Sequence, residues 1–188
     1  RSSAHRAEGT ARSPRPGVGH RGVRPVTAPR VALVSTAAYA HLDDDLPPLL
    51  AALGRAGVDA TVVDWHDPDA AWDRFDLAVL RSTWDYTEHL DRFLEVLGRV
   101  DAATELANPL EVVRANADKR YLLALAAAGV PVVPTTVVEP GMTVELPGAT
   151  PFVVKPAVSA GARDTERYRP GDDAATDHAR RLLAEGRA

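Results

Sequence analysis

The sequence predicts an α/β protein: an open, mainly parallel sheet in the first half, then a smaller α+β unit. Three observations point to it. From Val31 the chain offers short apolar runs rich in β-branched residues, "VALV" at 31–34, "VDATVV" at 58–63 and "LAVL" at 77–80. Runs that are continuous rather than alternating belong to strands buried on both faces, as in a parallel sheet. Segments of helical spacing lie between and after them. Beyond about residue 130, short strand-like runs are separated by Pro and Gly turns, the texture of an antiparallel sheet.

Taken in order, residues 1–30 carry seven arginines and one glutamate, about +6 within a chain of net charge −4. Their basic, Pro/Gly-rich composition predicts a disordered tail over 1–29. "GVGHRG" at 17–22 has the letters of a dinucleotide motif but neither a strand before it nor a helix after it, and is rejected. "RPVTAPRVALVSTAAYA" has the outline of a secretory signal, with Ala38-Tyr39-Ala40 at a cleavage position. Its apolar stretch is late, short and broken by Ser35 and Thr36, and serves better as the first strand. A helix follows, with Pro47 and Pro48 in its first turn, Leu49, Leu50 and Leu53 on one face, and Gly57 at its end. After the third strand, Leu90, Phe93, Leu94 and Leu97 fall at i, i+3, i+4 and i+7. A fourth strand near "TELAN" completes a small Rossmann-like unit over 30–110.

The second unit, 111–188, opens with "NADKRYLLALAAAGVPVVPT". Asn116 can cap a helix whose apolar stripe is Leu122, Leu125 and Ala126, and Gly129 and Pro131 stop it. "VPVVPTTVV", "MTVEL" and "PFVVK" then read as antiparallel strands, and a last helix runs over about 173–185.

Composition narrows the function classes. Apolar residues make up 45% of the 188, enough for a real core. The absence of cysteine excludes disulfides and thiolate metal sites and fits a reducing, cytoplasmic setting. No apolar run approaches the length of a bilayer span, and the body outside the tail is acidic. Neither a membrane nor nucleic acid is therefore expected as partner; a homo-oligomeric state stays open. No G-x-S-x-G elbow or helically spaced histidine pair points to a hydrolase.

The chain has twenty arginines and only two lysines. Lys119 is expected in the first turn of its helix, where the helix dipole disfavours a cation unless an anion approaches; alone, it reads as a surface lysine. Lys155 follows three apolar strand residues and precedes "PAVSAGAR", whose small side chains leave backbone N–H groups free to surround phosphate oxygens. Its plainer alternative is a snorkelling loop lysine. At the carboxyl ends of strands, where α/β folds bind ligands, lie "HLDDD" and "RSTWDY". Arg81 can hold a substrate carboxylate there, with Trp84 and Tyr86 as walls and Asp85 as a further contact. Their alternatives are Asp45 as a helix cap, and Asp85 with Glu88 as a capping box.

A helix-start lysine, some thirty-five residues, then V-V-K-P and a small-residue loop resembles the ATP-grasp superfamily. "LRSTWDY", "ANADKRYL", "GVPVVPT" and "FVVKPAVSAGARDT" resemble its glutathione-synthetase-like branch, which includes the cyclo-ligase of cycloserine biosynthesis that closes O-ureido-D-serine. The resemblance covers about residues 30–188. It implies a pre-ATP-grasp domain over 30–110 and an incomplete ATP-grasp lobe over 111–188. It further implies ATP and Mg²⁺ as cofactors and a carboxylate substrate, small and amino-acid-like, activated as an acyl phosphate. Lys119 and Lys155 would hold the nucleotide phosphates, Ser159, Ala160 and Gly161 would cover them, and Arg163 would add charge unless it pairs with Asp164. The substrate side would fall to Arg81, Trp84 and Asp85. Metal ligands are expected outside this chain, because the late acids Asp172, Asp173, Asp177 and Glu185 read as a solvated helix face. The chain begins with Arg and stops at "LLAEGRA", so a truncated piece, inactive by itself, is the expectation. Two alternatives stand beside this: a non-catalytic nucleotide- or ligand-binding module, and an interaction domain with incidental lysines pointing to different faces.

Overall fold

Strand β1 (Arg30–Ser35) has no polar position between its ends because both of its faces are covered. Val31 and Leu33 pack against Leu46, Leu49, Leu50 and Leu53 of helix α1 (Leu46–Arg55). Ala32 and Val34 turn the other way, into a larger cluster with Trp65, Trp72 and Phe75. Phe93, Val96, Leu97 and Val100 of helix α2 (Leu90–Ala103) complete that cluster. This is the two-sided burial that a continuous apolar strand requires. The computed structural model describes residues 27–188. The expected disordered tail, save its last three positions, and the "GVGHRG" stretch lie outside the described residues.

Strands β2 (Asp59–Asp64), β3 (Leu77–Leu80) and β4 (Glu105–Ala107) join β1 in one parallel sheet of order β2-β1-β3-β4. The chain thus reverses direction across the sheet between β1 and β3. α1 starts with prolines in its first turn and is closed by Gly57 at φ 76°, a left-handed position that glycine fills without Cβ strain. Asp45 makes no cap for α1. The stripe expected on α2 is shifted, since Val96 and Val100 are buried while Leu94 is only partly so.

The second half differs more from expectation. A helix that was not expected, α3 (Leu110–Asn116), precedes the expected one, which begins late as α4 (Tyr121–Ala127). Asn116 ends the first and caps nothing. The break between the two has one local and one distant cause: Asp118 Oδ1 accepts from Arg120 N–H at 2.8 Å, and Lys119 N–H donates to Ala157 O at 2.9 Å rather than to a helical carbonyl. The apolar stripe of α4 is not buried, and Leu125 is 37% exposed. Of the three expected strands only β5 (Phe152–Val154) forms, and it pairs antiparallel with β6 (Glu166–Tyr168), within a stretch not read as a strand. "VPVVPTTVV" and "MTVEL" stay outside any sheet. Pro131 and Pro134 interrupt the first segment, and Pro140 and Pro147 flank the second, with positions that cannot donate to a ladder. Helix α5 (Asp173–Ala184) closes the described chain, with Asp172 capping Ala174 N–H at 3.1 Å. Asp173, Asp177 and Glu185 are exposed on it or just beyond it. Among the described residues no helix is long and apolar enough to cross a membrane.

Candidate functional site

The loops that leave β1 and β3 enclose a cleft of about 550 Å³ at the point where the sheet's connections reverse. Open α/β sheets bind ligands at such points. Asp43, Asp44 and Asp45 come from the first loop, Arg81, Ser82 and Trp84 from the second. Arg81 is already engaged. Its Nε and Nη2 donate to the two oxygens of Asp43, both at 3.0 Å, and Asp45 lies 3.6 Å away. Ser82 Oγ–H also donates to Asp43. The Arg81 guanidinium and the Ser82 hydroxyl hold the buried Asp43 carboxyl below the usual carboxylate range, and Asp43 in turn raises the Arg81 guanidinium. Trp84, 39% exposed, forms part of the wall. Tyr86 does not: its ring packs on Phe93 at 5.3 Å, and burial pushes its hydroxyl pKa up.

Asp85 points inward. Its carboxylate accepts from Thr36 Oγ1–H at 2.9 Å and Trp65 Nε1–H at 2.9 Å, and meets His66 Nε2 at 2.7 Å. Burial alone pushes this carboxyl up, but the bonds from His66, Trp65 and Thr36 outweigh it and hold the pKa low. Asp85 thereby ties together the chain leaving β1, β2 and β3. The capping box with Glu88 is not formed; α2 has no side-chain cap.

Lys119 reaches the small-residue loop that follows Lys155. Lys119 sits in the turn between α3 and α4, not in a helix's first turn. Its Nζ donates to Ser159 Oγ at 2.8 Å, Ser159 O at 3.0 Å and Ala157 O at 3.3 Å. Those bonds use all three ammonium hydrogens. Burial lowers the Lys119 pKa, and the charge of Lys155 lowers it further.

Beyond Ser159 and Ala160, the backbone is left-handed at Gly161 (φ 60°), Ala162 (φ 56°) and Asp164 (φ 50°). Each non-glycine position there costs about 1–2 kcal/mol, so the loop must be held from outside. Arg163 ion-pairs with Glu88 and donates to Tyr39 Oη at 2.9 Å. It does not pair with Asp164, which goes instead to Arg187 at 2.6 Å and Arg181 at 3.5 Å. Tyr39 lies 6.3 Å from Trp84, ring to ring, so the loop abuts the wall of the strand-end cleft. A second cleft, about 800 Å³, opens between residues 87–92 and the loop. Among the described residues no group of three or more His, Cys, Asp or Glu is placed to hold a metal ion.

Residues 31–108 match the family described as D-cycloserine synthetase DcsG, N-terminal domain. The cycloserine biosynthesis protein DcsG of Streptomyces lavendulae is 43% identical over 166 residues, 83% of this chain and 56% of that protein. The chain is a cycloserine-synthetase-like ATP-grasp relative. The crystal structure of D-cycloserine synthetase DcsG superposes with a TM-score of 0.71 at 40% identity, covering 84% of this chain and 57% of that one. The chain thus spans just over half the length of the relatives it matches, in their N-terminal portion.

The strand-end ties were not visible in the sequence. Asp43 and Arg81 are 38 positions apart, and Asp85 lies 49 from Thr36 and 20 from Trp65. No local spacing links them; the one available signal was that "HLDDD" and "RSTWDY" each follow a strand.

Proposed function

We propose that this chain is the N-terminal part of an ATP-dependent ligase. It would act on a small, amino-acid-like carboxylate, activated as an acyl phosphate for C–N or ring-closing bond formation with release of ADP and phosphate. The observation that carries this is the hold of Lys119 Nζ on Ala157 and Ser159 of the loop that follows Lys155. Similarity to proteins named for cycloserine synthesis supports it. Residues 30–110 are then the Rossmann-like pre-ATP-grasp unit, and 111–188 part of the first nucleotide-binding lobe, in a cytoplasmic protein.

ATP supplies the phosphoryl group when bound. On this chain, Lys119 and Lys155 neutralise phosphate oxygens as point charges, suited to a tight pocket where arginine's wide fork is not. Lys119 would exchange its longest bond, the one to Ala157 O, for a phosphate oxygen. The N–H groups of Ser159, Ala160 and Gly161 would help hold the same oxygens, and Arg163 would add charge once released by Glu88. Mg²⁺ belongs to this chemistry in general. The acidic residues described here do not group to hold it, and no step is assigned to it on this chain.

Calorimetric titration with ATP and with AMP tests the assignment. Lys119→Met and Lys155→Met are each expected to weaken ATP binding roughly tenfold to a hundredfold, the worth of one charge-assisted contact. AMP, lacking the outer phosphates, should respond little. Wild-type affinity for ATP in both variants would overturn it.

A further inference from the structure

Arg81, the guanidinium the sequence offers to a substrate carboxylate, is already occupied by Asp43 and Asp45. Another guanidinium is not. Arg92, in the first turn of α2, donates from Nη2 to His66 O at 3.5 Å, and its guanidinium lies 5.9 Å from the centre of the Trp65 ring. Among the described residues no carboxylate pairs with it. It lines the 800 Å³ cleft, whose lining also includes Ala157, Val158 and Arg163 of the small-residue loop.

The other arginines of that cleft are each held: Arg120 by Asp118 and Glu139, Arg187 by Asp164 and Glu185, Arg163 by Glu88. Of the cleft's own carboxylates, Glu88 and Asp164 are the ones so engaged. Asp91 immediately precedes Arg92 on the helix, and consecutive helical side chains do not face each other. Trp65 is fully buried, so the surface on which the guanidinium rests is rigid. Apart from the one bond from Nη2 to His66 O, the guanidinium keeps N–H groups for the parallel pair of bonds a carboxylate accepts. The cleft's volume is that of a small-molecule site.

We propose that this cleft binds the carboxylate of a small amino-acid-like substrate, with Arg92 as the residue that recognises it. The proposal deepens the ligase assignment and rests on it for the arrival of a phosphoryl group at the 157–161 loop. That loop forms part of the same cleft, so a carboxylate at Arg92 is presented to the loop side, and proximity of this kind is what phosphoryl transfer needs.

The test is an NMR titration of the whole chain, with and without ADP. Serine is the probe, and serinol, which lacks the carboxyl group, is the control. Serine is expected to shift amide resonances of residues 87–92 and 157–163, and serinol is not. Arg92→Gln should weaken serine binding roughly tenfold or more, and Arg92→Lys less, since it keeps the charge but loses the fork. Resonances elsewhere, unmoved in both variants, report an intact fold. Serine binding within twofold of wild type in Arg92→Gln, shifts centred on residues 42–45 and 81–84, equal binding of serinol, or no response to serine would each overturn it. A parallel ATP titration separates the two ideas: failure of ATP to bind removes the ligase assignment, while the serine result decides Arg92 by itself.

Discussion

Replacing Asp85 with alanine is expected to cost about 2–6 kcal/mol of stability. Trp65 is fully buried and Thr36 is 2% exposed, and both donate to Asp85 at 2.9 Å. Each donor left unpaired in such surroundings costs about 1–3 kcal/mol. The His66 side chain is 28% exposed, so water can replace its bond and it adds little. That total is a large share of the 5–15 kcal/mol typical of a folded domain. Asp85→Asn keeps the shape and can satisfy one buried donor while its NH₂ opposes the other, so about half the loss is expected. Urea unfolding followed by circular dichroism at pH 7 should rank wild type above Asp85→Asn above Asp85→Ala, with the denaturant slope unchanged. The pH dependence has a definite sign. The Asp85 pKa is held below its ordinary value, so its contribution is complete above the usual carboxylate range and is lost as pH falls through the lower folded value. The gap between wild type and Asp85→Asn should therefore narrow in acid. A loss under about 1 kcal/mol for Asp85→Ala, or a gap that does not narrow, would refute the role assigned to these three bonds.

Asp43→Asn should destabilise the chain by about 1–3 kcal/mol, because it weakens a bidentate bond to Arg81 whose carboxylate side is buried. The Asp43 pKa is depressed by Arg81 and Ser82, so this difference too should fade in acid unfolding curves. Glu88→Gln should change stability by less than about 1 kcal/mol, since both partners of its ion pair are half-exposed. It should nonetheless speed amide hydrogen exchange over residues 160–165, and unchanged exchange would mean that Arg163 does not hold the loop. ATP binding should weaken with rising pH earlier than an ordinary lysine would dictate, because burial and Lys155 both lower the Lys119 pKa. Lys155→Met should move that fall to higher pH, and calorimetry across pH 7–11 would reveal a midpoint that fails to move.

The first half of the fold was legible because its signals are local. "VALV" is a strand buried on both faces, as its unbroken apolarity states, and "VDATVV" and "LAVL" are its partly buried neighbours in the sheet. Prolines at the start of α1 and Gly57 at its end act through their own backbone preferences, which no distant contact needs to confirm. Lys119 and Lys155 stood out by their rarity, and the "PAVSAGAR" loop by its lack of side chains. What the sequence could not express is pairing at a distance. The break between α3 and α4 depends on Lys119 N–H finding Ala157 O, 38 positions on. The placement of β6 depends on Phe152 meeting Tyr168 across the pair. Whether Arg81 is open to a ligand depends on Asp43, and whether Asp85 caps a helix or joins three strand ends depends on Thr36, Trp65 and His66. Local propensity and burial are written residue by residue. An ion pair or a shared carboxylate exists only once the sheet has brought its strand ends together, and only then is it decided which charges are satisfied.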